Sequence, residues 1–308
     1  MPLSSVLQSI GCTALVELRK LAPAGGARVL VKTEGTNPTG SMKDRMALAM
    51  VEGARREGRL LPAQRVVELT GGSTGTSLAL VCSALGHPLT IVTSDAVALE
   101  KINMTRALGA EVEVLRTPEG KVYPGLVPLM RARVEEIARE TGAFFTDQFN
   151  NAHQLDGYAP LAREVLRDCP EVTHFVHIVG TAGSSMGVSR ELRRTRPGLR
   201  VTLVEPASSP WLSAGRGGPH GVEGTAGVAR PPLLDRALYD DVLAIDEGEG
   251  RELSRRLARE EGIFAGTSTG LNVAAALRIA ATLPAGAVVV TIACDSGLKY
   301  LQGELFRG

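Results

Sequence analysis

The 308-residue chain has few cysteines, few aromatic residues and almost no excess of charge. With 34 basic and 33 acidic residues its net charge is +1, which gives no electrostatic case for a nucleic-acid or membrane partner. No apolar run approaches the length that spans a membrane, and the N-terminus lacks the pattern of a signal peptide. We therefore expect a cytoplasmic protein that acts on a small molecule.

The cysteines are also uninformative about metal or disulfide chemistry. Without paired spacing they predict neither a disulfide framework nor a zinc site, and we expect free, buried thiols. The five histidines likewise form no metal-binding set: His174 and His177 are three apart in an apparent strand and so point to opposite faces. We interpret the histidines as structural or surface residues and predict no metal site. The four cysteines are Cys12, Cys82, Cys169 and Cys294.

Runs rich in valine and isoleucine alternate with longer helical patterns along almost the whole chain. This alternation predicts an α/β fold in which helices cover a mostly parallel sheet, and the length favours two lobes. The polar, turn-rich segment 144–152 is the expected crossing between the lobes, where a cleft should lie. The predicted strands are 28–34, 65–70, 89–93, 111–115, 173–179, 200–205, 242–245 and 287–293.

The stretch from Asn37 to Arg45, NPTGSMKDR, places a lysine directly after a tight turn. Asn-Pro and Gly40 indicate the turn, Ser41 can cap a helix, and Lys43 then lies in the first helical turn. Amide dipoles at a helix N-terminus disfavour an ammonium group, so a partly desolvated lysine there is easier to deprotonate and more nucleophilic. Lys43 is our candidate catalytic residue. The alternative is an ordinary lysine on a solvated, charged helix face.

A run of small residues, Gly180-Thr-Ala-Gly-Ser184, follows an apolar strand and precedes a helical pattern. Backbone N–H groups in such a loop can approach an anion closely, and the hydroxyls of Thr181 and Ser184 add hydrogen bonds, so the loop predicts a phosphate site. A plain tight turn is the alternative. The spacing is not G-x-G-x-x-G and the chain has no P-loop motif, so a nucleotide-dependent oxidoreductase is disfavoured.

Two further small-residue loops follow the same scheme. Thr70-Gly-Gly-Ser-Thr-Gly75 comes after a strand and opens a helix, and it could bind a carboxylate. Ala265-Gly-Thr-Ser-Thr-Gly270 would supply the hydroxyl of Ser268. Because parallel sheets collect ligands at the carboxyl ends of their strands, these loops and the lysine turn could face one cleft.

In this order, these stretches resemble the cysteine synthase (O-acetylserine sulfhydrylase) and cystathionine β-synthase family of fold-type II pyridoxal-phosphate enzymes. The resemblance extends over essentially the whole chain, from Ile10-Gly-Cys-Thr13 to Asp295-Ser-Gly-Leu-Lys-Tyr300. It implies a two-lobed fold like that of the tryptophan synthase β-subunit, with mostly parallel twisted sheets. The implied smaller lobe is 36–146, the larger lobe combines 1–35 with 147–308, and a homodimer is expected.

The resemblance also implies site residues. Lys43, in the pattern N-P-x-G-S-x-K-D-R, matches the lysine that holds pyridoxal 5'-phosphate as a Schiff base. Ser268 matches the serine hydrogen-bonded to the ring nitrogen, and Gln148 matches a glutamine that receives the substrate carboxylate together with the Thr70 loop. The remaining implied cofactor-binding residues are Ser73, Gly180, Thr181, Ala182, Gly183 and Ser184. The remaining implied substrate-binding residues are Thr70, Gly71, Gly72 and Thr74.

The chain departs from the family pattern in two loops. The family usually reads T-S-G-N-T-G in the carboxylate loop, so Gly71 replaces a substrate-facing serine and Ser73 replaces an asparagine that contacts the cofactor's 3-hydroxyl. In the loop Glu223-Gly-Thr-Ala-Gly227, Ala226 replaces a usual glycine. These departures bear on which amino acid and which nucleophile the enzyme accepts.

The resemblance implies a lyase or transferase that performs β-replacement on an activated L-serine. Most directly this is O-acetyl-L-serine plus sulfide, giving L-cysteine and acetate. Alternatives that keep the cofactor are cystathionine formation with a thiol nucleophile, serine or threonine dehydration, or another β-replacement. A non-catalytic homologue that binds a small molecule or a partner enzyme is a further alternative, against which the retention of Lys43, Ser268 and the phosphate loop argues.

Overall fold

The computed structural model describes residues 2–118, 123, 125–225 and 230–307, and the chain forms two compact units. Unit 1 comprises Met1–Ile10 and Lys43–Gly157, and unit 2 comprises Gly11–Met42 and Tyr158–Gly308. Both boundaries differ from those of the predicted lobes, by seven residues at the lysine turn and by eleven at the second crossing, and residues 1–10 fall in unit 1 rather than in the predicted larger lobe.

Hydrogen bonds to residues near the end of the chain account for the different boundary at the lysine turn. The turn before Lys43 belongs to unit 2, because the N–H of Met42 donates to the carbonyl of Cys294 (2.9 Å) and the N–H of Ser296 donates to that of Gly40 (2.9 Å). The segment 36–42 is therefore hydrogen-bonded to residues 294–296, which directly follow the last strand.

The second crossing lies inside a helix, α5 (His153–Asp168), between Gly157 and Tyr158. The first turn of α5 belongs to unit 1, where the His153 ring lies only 2.5 Å from a Cβ built on Gly53. The polar segment 144–152, expected to be the crossing, lies entirely within unit 1.

Unit 2 is built on a six-stranded sheet with the order β1-β2-β10-β7-β8-β9. All neighbours are parallel except β1 and β2, which are antiparallel. The central strand β10 is buried along its whole length, as expected for a valine-rich strand covered on both faces. The strands are β1 (Leu15–Glu17), β2 (Arg28–Thr33), β7 (His174–Ile178), β8 (Arg200–Pro206), β9 (Asp241–Ile245) and β10 (Val288–Ala293).

Unit 1 contains a four-stranded parallel sheet with the order β5-β4-β3-β6. One face packs on α4 (Leu126–Thr141), whose buried residues recur every three or four positions and so form one stripe along the helix. The strands are β3 (Val66–Leu69), β4 (Leu89–Ser94), β5 (Glu111–Leu115) and β6 (Phe144–Phe145). The core comprises Val67, Leu69, Val92, Leu126, Met130, Val134, Ile137 and Ala143.

Helices fill the intervals between strands, and the predicted α/β architecture with mostly parallel sheets is confirmed. In α1, Met46, Met50 and Ala54 are spaced by four residues and are fully buried, which explains why this segment is helical. Besides α5, the described α-helices alternate with the strands along the chain. They are α1 (Lys43–Arg56), α2 (Ser73–Leu85), α3 (Leu99–Ala107), α4 (Leu126–Thr141), α6 (Gly183–Thr195), α7 (Trp211–Ala214), α8 (Glu247–Arg256) and α9 (Thr267–Ala280).

The cysteines are free, and three of them are buried as predicted. Cys12 is exposed, contrary to the prediction, because it lies in the irregular segment before β1 with a left-handed backbone (φ 49°) rather than in a strand or helix. Across the described ranges, no helix combines the length and the apolar character needed to cross a membrane.

Candidate active site

Lys43 is the first residue of α1, as the turn pattern predicts. It is half-buried, and the two charged residues that follow it, Asp44 and Arg45, are only 0% and 4% exposed. The Lys-Asp-Arg run is therefore not a solvated helix face. This burial argues against the ordinary surface interpretation of Lys43, which belongs to the first turn of α1, at the positive end of the helix dipole.

The Thr70 loop connects β3 to α2 in unit 1. The N–H of Gly72 donates to the Thr70 hydroxyl (3.1 Å), so the loop is braced by its first residue. Gly71 is exposed, a Cβ built on it would touch only Val97 Cγ2 at 3.6 Å, and one built on Gly72 would meet no described atom within 4 Å. The loop therefore has open space beside Gly71 and Gly72, which leaves room for a ligand such as a carboxylate.

Gln148 joins this loop from a distant part of unit 1. The hydroxyl of Thr74 donates to Gln148 Oε1 (2.9 Å), and Gln148 Nε2 donates to the carbonyl of Leu69 (2.7 Å). The structure thus brings together two of the predicted substrate-binding segments, which lie more than 70 residues apart in the chain. Both bonds are buried, which gives Gln148 one orientation.

Behind Gln148 lies a residue that the sequence interpretation missed, Glu68 on β3. Its side chain is 0% exposed and accepts hydrogen bonds from the N–H groups of Leu69 (2.8 Å) and Gln148 (2.9 Å) and from the hydroxyl of Thr146 (2.6 Å). Burial nevertheless raises the pKa of Glu68 to about 7. The available signal was a carboxylate inside the otherwise apolar strand Val66–Leu69, directly before the loop.

The Gly180 loop connects β7 to α6 in unit 2. Gly180 must be glycine, because a Cβ there would lie 2.4 Å from the carbonyl oxygen of Gly224. Ala182 adopts a left-handed conformation (φ 67°) at the start of α6 and makes no side-chain cap for that helix.

The donors of this loop are of the kinds that bind a phosphate group. Ala182, at the N-terminal boundary of α6, provides no side-chain cap. The N–H of Gly183 donates to the Thr181 hydroxyl in a long bond (3.4 Å), and Ser184 supplies a second hydroxyl in the first turn. Backbone N–H groups, hydroxyls and a helix N-terminus are the donors that phosphate oxygens accept from. The residues therefore suit the phosphate of pyridoxal 5'-phosphate.

Ser268 lies in the first turn of α9 and is 7% exposed. One turn further on, Asn272 accepts a hydrogen bond from the N–H of Ile178 (2.6 Å), two residues before Gly180. Asn272 also contacts His177, whose Nε2 lies 2.9 Å from the Ser184 hydroxyl. The structure thus connects the Ser268 helix to the Gly180 loop through two buried residues, Asn272 and His177, that the sequence interpretation did not assign to the site.

Two other predictions concern this region. Ala226 and Gly227, in the loop where the family pattern has a second departure, lie outside the described residues. Within the described part of the chain, no group of three or more acidic, histidine or cysteine side chains could hold a metal ion.

Known proteins are similar to this chain over almost its whole length. A family model described as pyridoxal-phosphate dependent enzyme matches residues 6–295. The chain is 39% identical over 312 residues to O-ureido-L-serine synthase of Streptomyces lavendulae, covering 100% of this chain and 94% of that protein. It is 36% identical over 310 residues to a cysteine synthase of Staphylococcus aureus, covering 99% of this chain and 97% of the relative.

Solved structures agree. The crystal structure of O-ureido-L-serine synthase superimposes with a TM-score of 0.93 at 37% identity, covering 100% of this chain and 96% of that one. O-acetyl serine sulfhydrylase isoform 3 of Entamoeba histolytica superimposes with a TM-score of 0.93 at 30% identity, covering 100% and 92%.

Proposed function

Because this chain belongs to the family of pyridoxal-phosphate dependent enzymes, we propose that it replaces the β-substituent of an activated L-serine. The first candidate reaction is O-acetyl-L-serine plus sulfide, giving L-cysteine and acetate. The protein is an enzyme with pyridoxal 5'-phosphate as its cofactor. The observation that supports this reaction class best is the buried bond from Thr74 to Gln148, which holds two carboxylate-binding segments together.

The roles proposed toward the cofactor follow the resemblance to the family. Lys43 holds it covalently, and the loop of Gly180, Thr181, Ala182, Gly183 and Ser184 receives its phosphate. Ser268 hydrogen-bonds the ring nitrogen and Ser73 faces the ring hydroxyl. When bound, pyridoxal phosphate withdraws electrons from the substrate α-carbon, which makes the α-proton removable.

The substrate is assigned to the Thr70 loop and Gln148. In this loop the N–H of Gly71 and the hydroxyl of Thr70 would donate to the substrate carboxylate. The N–H of Gly72 braces the loop on Thr70, and the hydroxyl of Thr74 donates to Gln148 and so holds it beside the loop. With the cofactor bound, Lys43 Nζ would be the base that removes the substrate α-proton, which would allow the β-substituent to leave. A serine at position 268 carries no negative charge to stabilise a protonated ring nitrogen, so the nitrogen of a bound cofactor would stay largely unprotonated, which would favour β-elimination over transamination.

A second candidate reaction uses a larger nucleophile than sulfide. Among the relatives, O-ureido-L-serine synthase is named for a product whose serine oxygen carries a ureido group, which hydroxyurea would supply. The observation that favours a larger nucleophile here is the open space beside Gly71 and Gly72, where the Cβ of any other residue would lie. A small recess that includes Gly72 also extends to Val97 and Lys101 within unit 1.

A nucleophile panel separates these candidates. The purified enzyme is supplied with O-acetyl-L-serine and with sulfide, hydroxyurea or homocysteine, and with L-serine, L-threonine or O-phosphoserine as alternative donors. Cysteine as the fastest product supports the first reaction, and O-ureido-L-serine supports the second. Cystathionine, or a keto acid formed without any nucleophile, would contradict both.

The role of Lys43 is tested separately. Lys43→Ala should abolish turnover and the visible absorption band of the bound cofactor, because the covalent attachment and the base are removed together. Lys20→Ala, at an exposed lysine of unit 2, is the matched control and should behave as the wild type. A Lys43→Ala enzyme with unchanged kinetics would contradict the assignment.

We also propose a cytoplasmic homodimer, on the resemblance to the family alone. Size-exclusion chromatography with light scattering should give twice the mass of one chain. A monomer at micromolar concentration would contradict the dimer.

A further inference from the structure

His177 stands in the middle of a buried polar chain that the reaction scheme above does not use. It lies on β7, is 1% exposed, and has Nε2 2.9 Å from Ser184 Oγ. On its other side, Nδ1 lies 3.2 Å from Nδ2 of Asn272, a residue that is 0% exposed. Which ring nitrogen of His177 carries the proton decides whether the Ser184 hydroxyl accepts a hydrogen bond from His177 or donates one to it.

The orientation of the Asn272 amide follows from the backbone around it. Its Oδ1 lies 2.6 Å from the N–H of Ile178, which can only donate, and its Nδ2 lies 2.8 Å from the carbonyl of Ile292, which can only accept. The amide therefore cannot be reversed without losing both bonds.

This orientation determines the tautomer of His177. The second hydrogen of Asn272 Nδ2 points toward His177 Nδ1, so Nδ1 accepts; Cys294 Sγ, at 3.5 Å, is the weaker acceptor for the same hydrogen. In a neutral imidazole the proton then lies on Nε2, and Nε2–H donates to Ser184 Oγ.

We propose that His177, oriented by Asn272, is a positioning residue that makes Ser184 a hydrogen-bond donor to the cofactor phosphate. This rests on the proposed assignment of the Gly180 loop as the phosphate site. A hydroxyl that accepts from His177 keeps its own hydrogen for another partner, whereas one that donated to His177 would turn lone pairs toward the phosphate oxygens. Phosphate oxygens accept hydrogen bonds, so only the first arrangement attracts the cofactor.

The test compares pyridoxal phosphate with pyridoxal, which lacks the phosphate. Full-length enzyme is stripped of cofactor and titrated with each compound for the wild type, His177→Ala, Ser184→Ala and the double variant. His177→Ala and Ser184→Ala should each weaken pyridoxal phosphate by about five- to tenfold and leave pyridoxal unchanged, the effect of losing one hydrogen bond. The double variant should be no weaker than Ser184→Ala alone, because both changes remove the same interaction.

Two further variants and an NMR spectrum distinguish the proposed role of His177 from a merely structural one. His177→Gln keeps an N–H donor and should restore most of the affinity, and His174→Ala, on the same strand, should leave both affinities unchanged. Nitrogen-15 NMR of the wild type should show the His177 hydrogen on Nε2.

The outcomes separate this role from the site assignment. If Ser184→Ala leaves the preference for the phosphate unchanged, the phosphate loop is assigned wrongly and the role of His177 fails with it. If Ser184→Ala weakens pyridoxal phosphate but His177→Ala does not, the loop assignment stands and the role of His177 is overturned. A His177 hydrogen on Nδ1 would also overturn it.

Discussion

Replacing Glu68 by glutamine should change the number of protons that the enzyme releases when it unfolds. Burial raises the pKa of Glu68 to about 7 in the folded protein, from an ordinary value of 4.5, although three hydrogen bonds oppose the shift. The charge of Asp147 raises this pKa further, and Asp147 itself lies 3.0 Å from Arg131. Because the folded-state pKa is the higher one, the folded protein keeps this proton between pH 4.5 and 7, where the unfolded chain has lost it.

The size of the effect follows from these two pKa values. At pH 6 the carboxyl of Glu68 is about 90% protonated in the folded state and about 3% protonated in the unfolded state, so unfolding releases about 0.9 proton from this group. With 1.36 kcal/mol for each pKa unit, the free energy of unfolding falls by roughly 3 kcal/mol as the pH rises from 4.5 to above 7. The ionised form of Glu68 therefore destabilises the fold.

The assay is a proton count. Wild type, Glu68→Gln and the control Glu140→Gln, an exposed glutamate near the end of α4, are unfolded by guanidinium at pH 6 in weak buffer with an indicator dye. Wild type and control should release about 0.9 proton more than Glu68→Gln at pH 6, and the difference should vanish at pH 9, where Glu68 is ionised in both states. Equal release by wild type and Glu68→Gln at pH 6 would refute the reasoning.

Three substitutions in unit 2 test its packing, each by urea denaturation. Gly180→Ala places a methyl group 2.4 Å from a backbone carbonyl oxygen and should lower the free energy of unfolding by about 1–3 kcal/mol; no loss would contradict the close approach. Ala182→Gly relieves a left-handed alanine and should raise it by about 0.5–1 kcal/mol, and a decrease would contradict that conformation. Lys32→Met leaves Glu164 buried without its ion-pair partner at 2.8 Å and should cost about 3–5 kcal/mol, of which Lys32→Met with Glu164→Gln should recover most.

Most strands could be predicted from the sequence because each is a run of apolar residues bounded by turns. The predicted strand 111–115 coincides with β5, and 200–205 lies within β8. The strands that were missed, β1 and β6, have three and two residues, too few for any periodicity. β6 exists because Phe144 and Phe145 pair with β3, a tertiary contact that no local pattern records.

Some residues of the candidate site could likewise be predicted from local sequence signals, and others could not. The start of α1 at Lys43 and the loops at Thr70 and Gly180 carry local signals, since turn residues and small residues mark the ends of strands and the starts of helices. Gln148 carries no such signal, and only the resemblance to a family pointed to it. Its position depends on hydrogen bonds to Thr74 and Leu69, residues far away in the chain.

Two of the residues that the sequence interpretation did not assign to the site have one feature in common. Glu68 and His177 are each a buried, titratable side chain on a strand whose neighbours are apolar, two or three residues before a small-residue loop. Each bonds a residue assigned to the ligand, Gln148 or Ser184. A buried polar group costs free energy unless it is hydrogen-bonded, so its place in such a strand is explained by the bond it makes. In a parallel sheet that bond reaches the residues at the carboxyl end of the strand, where ligands are bound.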